Sequence, residues 1–302
     1  MKKTNNFLFL FAAFAALLLS ACKGGGSYDL KFNPAAGSKY KYTVTMNQKL
    51  QQTVQGQTKD MDNATEIYAT YEVQAGSGTD KVLKLTYDRF KGTASGMTFD
   101  TDVADSAGTS GNPMSAIFSS MKGQSISMTV SAKGEVKEVK GVEELLDKMV
   151  ANMPGDSATK PMMKENIKKL MGEDYMKSMM EQSFKIYPAG AVKIGDNWKT
   201  DMEMKNGIAL KLANTFTLKS VENNVAKLDV KSDISSGSME MMGMKIETDL
   251  KGTQTGTFDL DVPTGMATSG DITQEISGNM KVMGMEMPMK IQTKMKISCV
   301  KI

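Results

Sequence analysis

Histidine is absent from the chain of 302 residues. It is the commonest general base and the commonest metal-binding side chain in proteins. Its absence excludes Ser-His-Asp and Cys-His catalysis, and it excludes zinc sites built on histidine. Catalysis would have to rest on Asp, Glu, Lys, Tyr or Ser alone, and no spacing singles out such a set. We therefore predict a protein that is not an enzyme and has no resident cofactor.

Arginine and cysteine are almost as scarce. Arg89 is the sole arginine and the formal net charge is only +3, whereas nucleic-acid binders need a basic surplus and usually arginine forks. We therefore predict no nucleic-acid partner. The two cysteines are Cys22, which lies in an export signal, and Cys299. No internal disulfide is expected, and Cys299 is predicted to be a small buried hydrophobic residue in a terminal strand.

The N-terminus has the three parts of a secretory signal. Two lysines come first, an uncharged apolar run follows, and a small residue precedes the cleavage point. The run is shorter than the roughly 20 residues of a transmembrane helix, which favours a cleaved leader over residues 1–21. The letters LSAC at 19–22 resemble the lipobox of bacterial lipoproteins, in which cleavage follows Ala21 and the thiol of Cys22 carries the lipid. An ordinary signal peptide with a chance cysteine is the alternative.

The lipobox resemblance implies a protein that acyl chains on Cys22 hold at a membrane. Residues 22–30 include three consecutive glycines and are predicted to form a flexible tether. Position 23 is lysine, not the aspartate that enterobacterial sorting reads as retention in the inner membrane, and no acidic residue occurs before Asp29. By analogy, we expect the cell envelope, with the anchor in the periplasmic face of the outer membrane.

Apolar residues alternate with polar ones over much of the body. This period of two predicts strands with one buried and one solvated face, which is typical of antiparallel sheets. The alternating series run from Tyr40 to Met46, Leu83 to Tyr87, Ile208 to Leu218, Leu228 to Ile234 and Met285 to Cys299.

Helical spacing of apolar residues is confined to the middle of the chain. One stripe follows Pro113, a residue that suits a first helical turn. A second stripe runs from Val142 to Met153, and a third begins near Pro161 and continues to Phe184. We expect these stripes to pack against sheets.

The order of elements indicates an internal duplication. Residues 32–40 and 187–198 each contain an aromatic residue, a proline and a glycine turn before a second aromatic residue that enters a long strand. Residues 123–139 and 252–267 each have the pattern of a β-hairpin.

The sequence thus predicts a mainly β (α+β) fold. Two related antiparallel β-rich halves, residues 31–186 and 187–302, should pack together with a helical block near residues 113–184 between them. Long curved sheets of this kind can enclose an elongated cavity.

Four segments carry a resemblance to a known family. They are FNPAAGSKYKY from residue 32, AKGEVKEVKGVEELLDKM from residue 132, YPAGAVKIGDNWK from residue 187 and GTFDLDVPTGMATSGD from residue 256. In this order they resemble an uncharacterised family of Bacteroidota outer-membrane lipoproteins, defined only as a domain of unknown function. The resemblance implies an architecture and no reaction.

Methionine is the unusual component, with 28 residues. Thioethers can bind Cu(I), and the densest segments place Cu(I) candidates at Met241, Met244, Met285, Met287 and Met289. Their spacing of two is also that of a strand, and methionine is a flexible apolar filler. We therefore favour lining of the core or of a ligand pocket.

A few other residues have a structural and a functional interpretation. Asp100, Asp102 and Asp105 suit a calcium loop only loosely, so a solvated loop is favoured. Asp261 precedes a turn, where Asp commonly bonds its own backbone. Trp198, the sole tryptophan, is expected to anchor the core rather than to stack on a ligand.

The leading functional hypothesis is a membrane-tethered, non-catalytic binding or carrier module for an apolar ligand or for another envelope protein. The lipid anchor and the methionine-rich inner strands motivate it. The alternatives are a methionine-based Cu(I) handling protein, which an anaerobic Cu(I) titration would detect, and a structural scaffold lipoprotein, which crosslinking to a stable partner would detect.

Overall fold

The computed structural model describes residues 26–94, 96–103, 113–153, 158–204, 210–237, 239–241, 244–282 and 284–302. The leader, its cleavage position at Ala21, the acylated Cys22 and the first part of the tether lie outside these residues. The anchor therefore stays a prediction from the sequence.

Antiparallel strands dominate the described chain, which confirms the predicted fold class. The first strands are β1 (Lys39–Val54), β2 (Gln57–Ala75), β3 (Lys81–Ala94), β4 (Met97–Asp100), β5 (Ser125–Val130) and β6 (Val136–Lys140). The later strands are β7 (Asn197–Met204), β8 (Leu210–Glu222), β9 (Val225–Ser236), β10 (Met239–Met241), β11 (Met244–Asp261), β12 (Ala267–Val282) and β13 (Met285–Lys301).

These strands form one sheet in the order β6-β5-β3-β2-β1-β13-β12-β11-β9-β8-β7, with β4 paired to β3 and β10 paired to β11. The strands of the two predicted halves occupy separate, contiguous parts of the sheet. The first and last strands join them, in a register that runs from Tyr40 opposite Lys301 to Gln52 opposite Met289. Across the sheet, the strands of the first half follow the order β6 to β1 and those of the second half the order β13 to β7. Both halves are thus arranged from last strand to first in the same direction, as expected for a tandem repeat. The relatedness of the halves stays a prediction.

Four helices of the described chain lie between the strands, in the predicted block: α1 (Pro113–Met121), α2 (Val142–Ala151), α3 (Lys160–Met171) and α4 (Glu173–Phe184). The third predicted stripe, from near Pro161 to Phe184, is divided between α3 and α4. Gly172 separates α3 from α4, because its ψ of −175° is extended and interrupts the helical hydrogen bonds.

Helix α4 packs against both β6 and β7, which end the chain of paired strands. The sheet therefore curls until both of its edges reach the same helix. The segment before β1 covers this end of the molecule, since the Phe32 amide donates to the Ala132 carbonyl at 2.8 Å. The fully buried Phe32 ring meets Phe184 of α4 edge-on, with 5.3 Å between ring centroids.

The two faces of the sheet differ in charge. In β9, Leu228, Val230 and Ile234 are buried on the inner face, whereas Lys227 and Lys231 are exposed on the outer face. The same division holds for the described inner positions of β1, β8, β11, β12 and, up to Cys299, β13, none of which carries a charged side chain.

Glycines on the inner face of β11 permit strong curvature. A Cβ added at Gly252 would lie 2.2 Å from the Glu275 carbonyl oxygen, and one added at Gly256 would lie 2.4 Å from that of Asp271. Glycine in a strand commonly marks such a close approach of backbones or a deliberate bend.

The described residues form two apolar clusters in the interior. The larger one joins the helices and the N-terminal segment to one end of the sheet, and the smaller one consists of Leu212, Ile234, Leu250 and Ile276 with partly buried neighbours. Among the described residues, no helix has both the length and the hydropathy needed to cross a bilayer.

Candidate functional site

Strand pairing aligns two apolar rows across the inner face. The core-side row consists of Met46, Met295, Ile272, Val230 and Phe216. All of these except Met46 belong to the larger cluster or pack against it. The open-side row lies four residues away along each strand, on the side of the smaller cluster, and consists of Leu50, Ile291, Ile276, Ile234 and Leu212. The members of both rows that lie in β1 and β13 are half-buried rather than buried.

An uncharged polar row lies between the two apolar rows, and we call it the polar belt. Successive strand pairs place its members opposite one another on the same face. From β2 across the sheet to β7, the polar belt consists of Asn63, Gln48, Thr293, Gln274, Gln254, Ser232, Asn214 and Thr200.

Side-chain hydrogen bonds link most of the polar belt. Gln274 Nε2 donates to Gln254 Oε1 at 3.4 Å, and Gln254 Nε2 donates to Ser232 Oγ at 3.4 Å. Ser232 Oγ donates to Asn214 Oδ1 at 2.6 Å, and Asn214 Nδ2 donates to Thr200 Oγ1 at 3.3 Å. Three of these four bonds are at or beyond the long end of the usual range.

The chain of hydrogen bonds is interrupted at Thr293. At the other end of the polar belt, Asn63 Nδ2 donates to Gln48 Oε1 at 3.5 Å. Thr293 lies in register between Gln48 and Gln274, and its hydroxyl is buried without a hydrogen-bond partner. A buried hydroxyl without a partner is costly, so a group that reached this atom would gain a hydrogen bond.

A groove of about 850 Å³ lies between α4 and strands β7, β8 and β9. Its rim is charged by Asp174, Lys177, Glu181 and other residues, while Met202 and Leu212 contribute apolar surface. Leu212 ends the open-side row, so the groove adjoins the inner face at the end of the polar belt that Asn214 and Thr200 form.

The methionine candidates for Cu(I) lie on three strands: Met241 ends β10, which pairs with β11, and the others lie on β11 and β13, which are not neighbours. Met285, Met287 and Met289 alternate along β13, while Met244 begins β11, and β12 runs between these strands. Met285 is 51% exposed, and the Met287 sulfur accepts a hydrogen bond from Gln52 Nε2 at 3.8 Å. The side chains of Met241 and Met244 are outside the description. Copper binding stays a prediction.

Cys299 lies in the core and Trp198 packs against it, as the sequence predicted. Cys299 is buried, and burial raises the pKa of its thiol to about 12. Trp198 stacks on Phe216 at 5.8 Å between ring centroids, and its indole Nε1 donates to the Ile186 carbonyl at 3.0 Å.

The aspartates also have structural partners. Asp261 accepts hydrogen bonds from the backbone amide and the hydroxyl of Thr264 within its turn. Asp100 pairs with Arg89, which lowers the pKa of its carboxyl to about 2. Asp102 pairs with Lys122 at 2.6 Å, and Asp105 lies outside the described residues. In the described part of this loop, Asp100 and Asp102 are therefore both paired with cations.

Sequence reasoning missed the polar belt. Its members occupy inner positions of the strands, as the apolar residues do. The sequence signal that could have revealed them is a neutral Gln, Asn, Ser or Thr where the alternation predicts an apolar residue. This signal is weak in any one strand, and only the register of the sheet brings the members together.

The fold and the site define a class: a predominantly antiparallel β protein with a partly accessible inner sheet face that carries no charged side chain on β1, β11, β12 and, up to Cys299, β13. The chain belongs to the family of unknown function DUF6263, whose model matches residues 78–267. No curated protein matches it.

Solved structures resemble the chain only distantly. The COG4313 outer membrane channel from Pseudomonas putida F1 is 8% identical, with 91% of this chain and 98% of that chain covered at a TM-score of 0.23. A DUF1329 family protein from Desulfovibrio piger is 10% identical, with 88% and 84% covered at a TM-score of 0.14. OmpF of Salmonella typhi in complex with daunomycin is 8% identical, with 87% and 98% covered at a TM-score of 0.18. At these scores the likenesses support no conclusion.

Proposed function

We propose that the protein is a lipid-anchored module of the bacterial cell envelope that binds an apolar, lipid-like molecule against the inner face of its sheet and does not catalyse a reaction. Its acylated Cys22 would hold it in the periplasmic face of the outer membrane. The lipobox and the Bacteroidota lipoprotein resemblance support the anchor, and the inner face supports the binding.

One observation carries the binding proposal. The inner positions of β1, β11, β12 and, up to Cys299, β13 lack charge, yet those of β1 and β13 beyond the core are only half-buried or are exposed. Apolar side chains that the fold itself does not fully cover gain free energy when a ligand covers them, at about 25 cal/mol per Å² of apolar surface. Flexible methionines such as Met289 and Met295 suit chains of different shapes.

Photocrosslinking tests the binding. The acylated mature chain is placed in phosphatidylcholine nanodiscs and irradiated with a diazirine derivative of dodecanol, and the labelled residues are identified by mass spectrometry. We expect labels at inner positions of β1 and β13 and few at the exposed outer positions of the same strands. Absence of inner-face labelling would overturn the proposed function.

Two charge-introducing variants of adjacent residues sharpen this test. Met289→Glu puts a charge on the half-buried inner face, and Lys290→Glu puts the same charge on the exposed outer face. Met289→Glu should reduce labelling about tenfold or more, because burying an unpaired charge is costly. Lys290→Glu should leave it unchanged, and equal labelling of both variants would contradict the assigned face.

The anchor has a separate test. Radiolabelled palmitate fed to the producing bacterium should enter the wild-type protein and not a Cys22→Ala variant. Equal labelling of the two proteins, or no labelling of the wild type, would reject acylation of Cys22 while leaving the binding proposal to its own experiment.

A further inference from the structure

The polar belt adds a chemical requirement to the ligand. We propose that it binds the carbonyl group of an uncharged long-chain acyl ester, with the acyl chain along the open-side row and the Thr293 hydroxyl donating to the carbonyl oxygen. This inference rests on the proposed function and names the class of ligand that the same face accepts.

The position of Thr293 supports a donor role. Its hydroxyl is buried and has no partner, while the polar belt is hydrogen-bonded on both sides of it, from Gln274 to Thr200 and from Asn63 to Gln48. A hydroxyl can always donate one proton. The strongest neutral acceptor that an acyl chain carries is its carbonyl oxygen.

The surroundings exclude a charged head group at this depth. The described inner positions of β1, β11, β12 and β13 up to Cys299 offer amides, hydroxyls and apolar groups but no Lys or Arg. A carboxylate or phosphate placed there would lose its hydration without gaining a counter-charge, which disfavours burial of the ion. A neutral carbonyl needs only a hydrogen-bond donor.

The spacing also fits an ester at the end of a chain. Each apolar row lies two residues from the polar belt along every strand, which corresponds to about 7 Å. The core-side row packs against the larger cluster, which favours placing the small methyl group on that side. On the other side of the polar belt, Leu50, Ile291 and Met289 are half-buried and lead towards the C-terminal end of β1 and the N-terminal end of β13. This side gives room for the acyl chain.

Two ligands that differ only at the carbonyl test the inference. Methyl laurate and methyl dodecyl ether have the same chain length, and a methylene replaces the carbonyl in the ether. Each competes with the diazirine dodecanol in the crosslinking assay on the acylated mature chain. A hydrogen bond of ordinary strength should give methyl laurate about fivefold stronger competition than the ether. Laurate, which is charged, should compete least of the three.

Thr293→Val removes the hydroxyl and keeps the shape of the side chain. Its thermal midpoint should not fall, because the hydroxyl has no hydrogen bond to lose. Labelling of the variant by the diazirine probe alone serves as its own reference, and methyl laurate scored against that reference should lose its advantage over the ether. The control Thr255→Val, on the exposed outer face of β11, should keep the advantage.

The outcomes separate the two proposals. Inner-face labelling with equal competition by ester and ether, or an advantage that survives Thr293→Val, would overturn the carbonyl inference and leave the proposed function standing. In that case the polar belt serves only to fix the register of the strands. No inner-face labelling by any probe would overturn both proposals.

Discussion

We expect the thiol of Cys299 to be unreactive because it is buried. It is 3% exposed near the end of β13, and burial raises its pKa to about 12. The thiolate is the reactive species, so the native protein holds almost none of it at pH 8.

Iodoacetamide labelling checks this at the residue scale. At pH 8 the native protein should resist alkylation at Cys299, and the protein in guanidinium chloride should be alkylated completely, as measured by intact mass. Labelling of the native protein at the rate of a free exposed thiol would contradict the burial of β13 at this position.

Tyr187 links the helical block to the turn between β11 and β12. Its phenol is buried and donates to the Gly265 carbonyl oxygen at 2.7 Å. Burial raises the pKa of this phenol, which therefore keeps its proton and remains a donor over the physiological range of pH.

Tyr187→Phe removes this donor and leaves a buried carbonyl without it. The free energy of unfolding should fall by about 1–3 kcal/mol, as measured by urea denaturation. Tyr175→Phe, on the partly buried face of α4, is the control and should change it less. Equal effects of both substitutions would mean that the Gly265 carbonyl is satisfied in another way.

At the scale of the element, curvature of the inner face depends on glycine in β11. Gly256→Ala would place a Cβ 2.4 Å from the backbone oxygen of Asp271. A backbone atom in a paired strand cannot move aside as a side chain can, so we expect a loss of stability of about 1–3 kcal/mol or more, as for overpacked cores.

Thermal unfolding followed by circular dichroism measures this effect. Gly190→Ala is the matched control, because a Cβ there has open space around it, and its change should stay within about 0.5 kcal/mol. An equally small effect at Gly256 would show that β11 and β12 separate without cost.

The same elements explain which strands the sequence predicts. Strands β8 and β9 keep apolar residues at nearly every inner position, so alternation identified them. Strand β12 has Gly270, Gln274 and Gly278 at inner positions. These residues interrupt the alternation of apolar and polar side chains, so the sequence did not predict this strand. In β12, glycine and glutamine at inner positions thus hid the strand, whereas β13 was predicted although it carries Thr293.

The helices show the complementary case. The apolar stripes located the block correctly, because helical spacing is a local property of the chain. The break at Gly172 was missed because the stripe continues across it from α3 to α4. The polar belt could not be predicted from any single segment, because strands far apart in the chain contribute to it.

At the scale of the whole molecule, the two halves share one sheet through β1 and β13. Their pairing extends along most of both strands, and α4 contacts both outer edges. The larger apolar cluster contains residues of both halves, so we expect cooperative unfolding in spite of a length at which many proteins populate intermediates.

A core substitution in one half, observed from the other, tests this cooperativity. Leu83→Ala empties a fully buried site in β3 and should cost about 2–5 kcal/mol. Trp198, the sole tryptophan, lies in β7 and reports on the second half by its fluorescence. If the sheet is one cooperative unit, the urea midpoint of the Trp198 signal falls together with that of the circular dichroism signal. The contrary result is an unchanged Trp198 midpoint together with a second transition at lower urea. It would mean that residues 31–186 and 187–302 unfold independently, and that the inner face is not a single binding surface.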